Sequence, residues 1–208
     1  MGKVFFDICI SLDGYIAGEN RGPENPLGSG GVKISHWLFQ QKSFLEHLSL
    51  SGEGMTGRDN DIVEETFSRI GANIMGKRMF EEGEANWPEK APFGTPVYVL
   101  THQMREPWVR PGGTTFFFTN ESIDSVIEKA KHSAGSKDVR ISGGADIIQQ
   151  YLNAGYVDEF SIHIAPVLLG NGLRLFENLD KDKISVEITD SISSNQVTHI
   201  RYKVVKYN

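Results

Sequence analysis

"DVRISGGADIIQQYL", residues 138–152, carries the transition that decides the fold. A short apolar run is followed by Gly143-Gly144 and then by a helical segment that stops at Gly155. Strand, glycine turn and helix in so few residues are the elements of a βαβ unit. The glycine pair has two readings. It makes a tight turn, or it leaves backbone N–H groups bare at the helix start so that a phosphate can sit there. A glycine pair by itself favours the turn.

The same step recurs along the chain. "ANIMG" reads as a short buried strand and "KRMFEEGEANW" starts a helix. "PVYVLTH" and "TTFFFT" read as strands, "ESIDSVIEKAKHSA" as a helix, and "DEFSIHIAPVLLG" as a strand interrupted by Pro166. "KVFFDICI" at the start is a strand that breaks at "SLDGY". Alternation of this kind implies crossover connections and a mostly parallel sheet, so the fold class is α/β with helices flanking the sheet. "ISVEITDSIS" and "VTHIRYKVVKY" add an antiparallel hairpin joined at Ser194-Asn195. In "DIVEETFSRIG", Val63, Phe67 and Ile70 mark a buried helix face. Asp61 and Glu64 resemble a capping box there, with Asp59 or Asn60 as alternative N-caps, and Gly71 is expected to stop the helix.

Residues 18–57 are a long excursion, rich in Gly, Pro, Asn and Ser, around "ISHWLFQQKSFLEHL". Long excursions in compact domains are lids or binding loops, or disordered, and Trp37 and Phe39 argue against plain disorder. No repeat or linker divides the chain, so residues 1–208 are read as one domain.

Composition removes several function classes. With 39% hydrophobic and 23% charged residues the chain is an ordinary globular one, and its formal charge of −6 does not favour nucleic acid or anionic membrane. The single cysteine, Cys9, forbids an internal disulfide and reads as a small core residue, which fits the cytoplasm. "MGKVFFDICISLDGY" carries Asp7 in its apolar run and is not a signal peptide; no run reaches the ~18 apolar residues of a membrane span. The six histidines are scattered without metal-ligand spacing, so no metal site is expected.

Ligands of open α/β sheets sit beyond the carboxyl ends of the strands. Three such ends carry phosphate-compatible groups. Ser142, Gly143, Gly144, Ala145 and Asp146 could cradle a pyrophosphate. Gly76, Lys77 and Arg78 place two cations at a helix start, where cations are unfavourable unless an anion is near. Thr101 and His102 follow the third strand. Together the three suit a dinucleotide with an extra phosphate, NADPH.

"SLDGYIAG", "NIMGKRMFE", "VYVLTH", "ISGGADIIQQYL" and "DEFSIHIAPVLLGNGLRLF", in this order, resemble the dihydrofolate reductase-like superfamily. Within it the chain is most similar to the reductase domain of bacterial bifunctional riboflavin-biosynthesis deaminase–reductases and its stand-alone relatives. The resemblance implies a mixed sheet of about eight strands and an NADPH-dependent reductase. Gly76, Lys77 and Arg78 would hold the adenosine 2′-phosphate, Thr101 and His102 the adenine ribose, and residues 142–146 the pyrophosphate. Ile16 and Ala17 would lie along the nicotinamide, and the 18–57 excursion would cover the site. The deaminase zinc signature is absent. The position at which dihydrofolate reductases carry an acidic side chain is Asn60, with Asp61 beside it, which argues against folate reduction.

The reading is a cytoplasmic NADPH-dependent reductase that transfers hydride to a C=O or C=N carbon of a small heterocyclic substrate. Hydride arrival requires a proton, for which Asp13 and Asp61 are the candidates, with bound water as the alternative. Asp13-Gly14 is also a common turn, and Asp61 also a helix cap. Rival readings are a noncatalytic nucleotide-binding protein and a flavin- or deazaflavin-using reductase. The long apolar strand "FSIHIAPVLL" and the final hairpin predict a homodimer that covers exposed edges.

Overall fold

The computed structural model describes residues 2–90 and 92–205. In chain order the strands are β1 (Val4–Ser11), β2 (Tyr15–Ala17), β3 (Ile70–Gly76), β4 (Pro96–Leu100), β5 (Trp108–Val109), β6 (Thr115–Thr119), β7 (Asp138–Gly143), β8 (Glu159–Ala165), β9 (Leu173–Arg174), β10 (Ser185–Ser193) and β11 (Thr198–Val205). The helices are α1 (Val32–Phe39), α2 (Lys42–His47), α3 (Arg58–Arg69), α4 (Lys77–Glu84), α5 (Ile123–Ala134) and α6 (Ala145–Asn153). One 9-stranded sheet runs β10-β11-β8-β1-β7-β3-β4-β6-β5, and β2 and β9 form a separate antiparallel pair.

The centre of the sheet is parallel: β1 lies between β7 and β8, and β3 between β7 and β4. Such strands are covered on both faces, so alternate residues feed two cores. On one face Val4, Phe6, Ala72, Ile74, Val139 and Ile141 pack with α5 and α6 through Ile127, Ile148 and Tyr151. On the other, Met75, Val97, Val99, Phe116 and Phe118 close around Phe80 of α4. Further along that face, Trp37 of α1 and Val63 of α3 pack over Cys9 and beside Phe44 and Phe67. Between β7 and β3, Ser142 Oγ donates to Asn73 Oδ1 at 2.8 Å, while Asn73 Nδ2 donates to Thr95 Oγ1 at 2.8 Å.

Local chemistry explains most boundaries. Ser122 caps α5 by accepting from Ser125 N at 3.3 Å, and Gly135 leaves the helix with φ 63°. β8 ends at Ala165, before Pro166, which has no N–H for the ladder. The sheet, expected to have about eight strands, has nine, with the two-residue β5 at its edge. Three expectations change. The hairpin loop is 194–197, where Ser194 Oγ accepts from Gln196 N at 3.1 Å and Val197 N at 3.3 Å. The capping box does not form: α3 starts after Gly57, at φ 113°, with no side-chain cap. Gly71 does not stop α3 either, because β3 starts at Ile70 and Gly71 lies inside it.

Gly71 is needed for close approach instead. A Cβ there would sit 2.7 Å from Ala134 O and 2.7 Å from Lys137 Cβ, where the end of α5 crosses the strand. Gly71→Ala should therefore destabilise the fold by about 1–3 kcal/mol, the range for overpacking. Urea unfolding measures it, and an unchanged midpoint would refute this account.

Candidate functional site

The carboxyl ends of β1, β7, β3 and β4 emerge on one edge, because these strands run parallel. Gly143-Gly144 therefore sits beside Gly76. A Cβ on Gly76 would lie 2.9 Å from Ile147 Cγ1, so this approach admits no side chain. A Cβ on Gly144 would meet nothing within 4 Å, so the backbone here faces open space. Gly143 has φ 128°, a conformation that favours glycine, and the Gly143–Gly144 peptide is cis. Gly144 is the N-cap of α6 and offers no side-chain cap, which leaves the first N–H groups of the helix without a local acceptor. Ala145 is buried and Asp146 exposed in the first turn.

Lys77 and Arg78 open α4 and are tied along the helix to Glu81 at 3.5 Å and Glu82 at 3.3 Å. Thr101 is buried at the exit of β4 and its Oγ1 accepts from Gln103 N at 3.0 Å; His102 is exposed.

Below the strand ends lies a cleft of about 520 Å³. Ile16, Ala17, Ser142, Gly143 and Gly144 line it, so the structure brings these five expected residues together. Its floor is the sheet face bearing Asp7, Cys9, Arg140 and His163. Its walls are aromatic: Trp37, Phe44 and Phe67 on one side, Trp87 and Phe93 on the other. The 18–57 excursion supplies α1 and α2 to this wall, with Ile34 and Trp37 buried.

Two ion pairs set the electrostatics. Asp7 Oδ1 lies 2.7 Å from Arg140 Nε on the floor, and Arg21 Nη2 lies 2.5 Å from Glu82 Oε2 at the side. Burial pushes the Asp7 carboxyl up, but the Arg140 charge and His163 outweigh it and hold it at about 2. Asp7 Oδ1 and Arg140 Nε are both buried, and neither has a well-aligned hydrogen-bond partner. Burial, with the Asp7 charge beside it, raises the Cys9 thiol to about 12, so it is no nucleophile at neutral pH.

Comparison with known proteins agrees with this layout. The family model of the RibD C-terminal domain matches residues 2–200. The chain belongs to this family. The Bacillus subtilis (strain 168) protein YyaP is 26% identical over 204 residues, covering 96% of this chain and 94% of its own. Among solved structures, a Shewanella sp. PV-4 protein named for riboflavin biosynthesis superposes with TM-score 0.68 at 23% identity, covering 99% of this chain and 100% of that one. Dihydrofolate reductase from Enterococcus faecalis, complexed with NADP(H), superposes with TM-score 0.56 at 12% identity, covering 98% and 96%. The architecture is thus dihydrofolate reductase-like, and the family is one of reductase domains.

Within this RibD C-terminal domain the two acidic candidates lie away from the cleft floor. Asp13 accepts from Ser11 Oγ at 2.6 Å, from Leu169 N at 3.1 Å and from Gly170 N at 2.7 Å. The Ser11 hydroxyl and these backbone N–H groups hold its carboxyl at about 2 against desolvation, so near neutral pH it has no proton to give and anchors the loop after β8. Asp61 is exposed on α3, while its buried neighbour Asn60 accepts from Ser43 N at 2.7 Å.

The polar groups of the floor were missed from the sequence. Asp7, Arg140 and His163 each interrupt an apolar strand, in "VFFDICI", "DVRISG" and "EFSIHIA", and that interruption is the signal that finds them. His163 is joined to a second buried histidine: the two Nδ1 atoms lie 2.7 Å apart, and His199 Nε2 lies 3.1 Å from Asp59 Oδ1. Burial, helped by His163 and opposed by Asp59, lowers His199 to about 4.

The depressed Asp13 group has a pH signature. Its stabilising effect is complete above its unfolded value of 3.8 and is lost as pH falls through about 2. Asp13→Asn should lower the urea midpoint by a constant amount above pH ~4, and the gap from the parent should shrink between pH ~4 and ~2. A gap independent of pH would show that Asp13 is not held ionised.

Proposed function

We propose that this domain is an NADPH-dependent reductase that transfers hydride to a C=O or C=N carbon of a small, planar, heterocyclic substrate. The observation that carries it is the union in one cleft of a side-chain-free strand end with an aromatic chamber floored by an ion pair. The residues fit the cofactor. The open backbone at Gly144 and the uncapped start of α6 would take a pyrophosphate on residues 142–146. Lys77 and Arg78 would take the 2′-phosphate, Thr101 and His102 the adenine ribose, and Ile16 and Ala17 the nicotinamide. When bound, the cofactor supplies the hydride.

The chain supplies the rest. Trp37, Phe44 and Phe67 offer flat apolar surface to a ring and exclude water. The Asp7 carboxylate and the Arg140 guanidinium can accept from and donate to a heterocycle edge. Asn60 stands where dihydrofolate reductases carry an acid, and its side chain is engaged by Ser43, which supports a substrate other than folate. Cys9 is a free thiol, and no helix among the described residues is long and apolar enough to cross a membrane; a cytoplasmic location is part of the same reading.

The reading extends to a homodimer. β10 is the sheet edge, most of its residues are exposed, and Val186 and Ile188 stand 42% and 64% accessible on it. An uncovered apolar edge is an aggregation hazard that pairing with a second copy would remove. Ile188→Glu should convert a dimer to a monomer in light scattering; a monomeric parent chain would refute this.

Energy transfer from tryptophan to the reduced nicotinamide measures binding directly. Replacing Lys77 and Arg78 together with Ala should weaken NADPH by roughly 10–100-fold, the loss of charge-assisted contacts, and leave NADH unchanged. An unchanged preference would overturn the phosphate assignment. Failure of the parent chain to bind either dinucleotide would overturn the reductase reading.

A further inference from the structure

We propose that His163 holds the proton the substrate receives at the cleft floor, and that His199 and Asp59 fix the tautomer that lets it do so. The proposal rests on the reductase reading. It starts from the four groups Asp7, His163, His199 and Asp59, strung in contact from the cleft floor on β1 and β8, through β11, to α3.

Donor and acceptor roles place the protons. At 2.7 Å between two Nδ1 atoms, one proton lies in the contact, since two bare lone pairs or two N–H groups would repel. His199 Nε2 faces Asp59 Oδ1 at 3.1 Å, and a carboxylate only accepts, so that nitrogen carries hydrogen. His199 is neutral at pH 7, because its value lies at about 4. Its single proton is on Nε2, and its Nδ1 is a bare acceptor. The proton in the contact therefore belongs to His163 Nδ1. What remains is His163 Nε2, which lies 3.7 Å from Asp7 Oδ2 and is the nitrogen of the pair engaged neither by the other histidine nor by Asp59. An imidazolium at His163 has His199 Nδ1 for one N–H and the Asp7 carboxylate for the other.

The neighbours do not replace it. Asp7 is held ionised by Arg140, and Cys9, opposite His163 in the β1–β8 register, keeps its thiol proton. Arg201, on the same strand as His199, is turned to Glu65 at 2.5 Å. Trp37 of α1 presses edge-on against both imidazoles, with ring centroids 5.3 Å from His163 and 4.9 Å from His199, and fixes their planes. Of the other cleft histidine, His47, burial disfavours the charged form, and it lies stacked on Phe67 at 4.0 Å.

A bound reduced nicotinamide would supply hydride to the carbon of the C=O or C=N bond, which would leave the π pair on the heteroatom. That atom takes the proton of His163 Nε2–H, whose N–H pair stays on the imidazole. The substrate would thus be reduced at the expense of the nicotinamide, and neutral His163 would keep its Nδ1–H on His199. Water entering the cleft returns the proton.

Two measurements on the full chain test this. Long-range ¹⁵N–¹H correlation reads each histidine tautomer directly: Nε2–H is expected on His199, with Nδ1–H on His163 in its neutral form, and Asp59→Ala should mix the tautomers. The reverse assignment in the parent chain, or no change in Asp59→Ala, overturns the tautomer chain. For turnover, NADPH oxidation is followed with pteridine, pyrimidine and quinone substrates. With whichever is reduced, His163→Gln should lower kcat by about 100-fold or more, the range of a general acid, with NADPH affinity within about 2-fold. Asp59→Ala should lower kcat at unchanged KM, and this variant at the outer end of the chain of four groups serves if His163→Gln does not fold. Parent-like kcat in both variants overturns the proton role. Binding of NADPH without turnover of any substrate overturns the reductase reading itself, and the tautomers remain readable.

Discussion

The parallel core of the sheet, β8-β1-β7-β3-β4, is covered on both faces, and this constraint governs what the rest of the molecule can do. A strand buried on two sides has no solvent-facing positions for polar chemistry. Function therefore collects at the strand ends, where β7 and β3 finish in Gly143 and Gly76, or on the face of β1, where Asp7 is tolerated because Arg140 neutralises it. Removing one partner of such a buried pair strands the other, at a cost of about 3–5 kcal/mol. The pair is thus a fixed feature of the fold, and the cleft is built around it.

The same constraint explains the aromatic wall. On the face of β1 and β8, α3 contributes Val63 and Phe67 beside Cys9. The 18–57 excursion brings α1 and α2 across it, with Ile34 and Trp37 buried. Coverage stops short of the strand ends, which leaves the space between Trp37 and Trp87. Loop anchors hold its rim: Asp13 ties the segment after β1 to Leu169 and Gly170, and Tyr15 pairs with Arg174 across the small sheet. The rim segment bearing Ile16 and Ala17 is therefore positioned by the loop after β8, far along the sequence.

Much of this was legible in the sequence. Alternating apolar strands and helices with glycine exits gave the parallel sheet, and α5, α6 and the terminal hairpin lie close to where the pattern put them. The strand-end residues were legible because glycine and cations at a helix start are locally odd. The floor of the cleft was not. Asp7, Arg140, His163 and His199 sit on four different strands, and only the β1–β7, β1–β8 and β8–β11 registers bring them together. Gly71 misled for a related reason: its local pattern is that of a helix stop, whereas its cause is the distant backbone of Ala134. Asp13 and Asp61 attracted attention as acids near the expected site, but hydrogen bonds and exposure, set by tertiary structure, determine what each can do.

Charge pairing in the cleft bears on what it can accept. One solved relative by fold, from Thermotoga maritima, is named as a deaminase and 5-amino-6-(5-phosphoribosylamino)uracil reductase; it superposes with TM-score 0.61 at 13% identity, and this chain spans 57% of it. A phosphoribosyl group carries a dianion, which needs cations not already spent. Arg140 and Arg21, the arginines lining this cleft, each already face a carboxylate, Asp7 and Glu82, within 2.7 Å. A phosphate set against either arginine would also lie beside that arginine's carboxylate, a repulsion that low dielectric magnifies. The aromatic walls impose no such cost on an uncharged ring. The flat heterocycle of the proposed reading would therefore meet a cleft whose arginines are paired and whose walls are apolar.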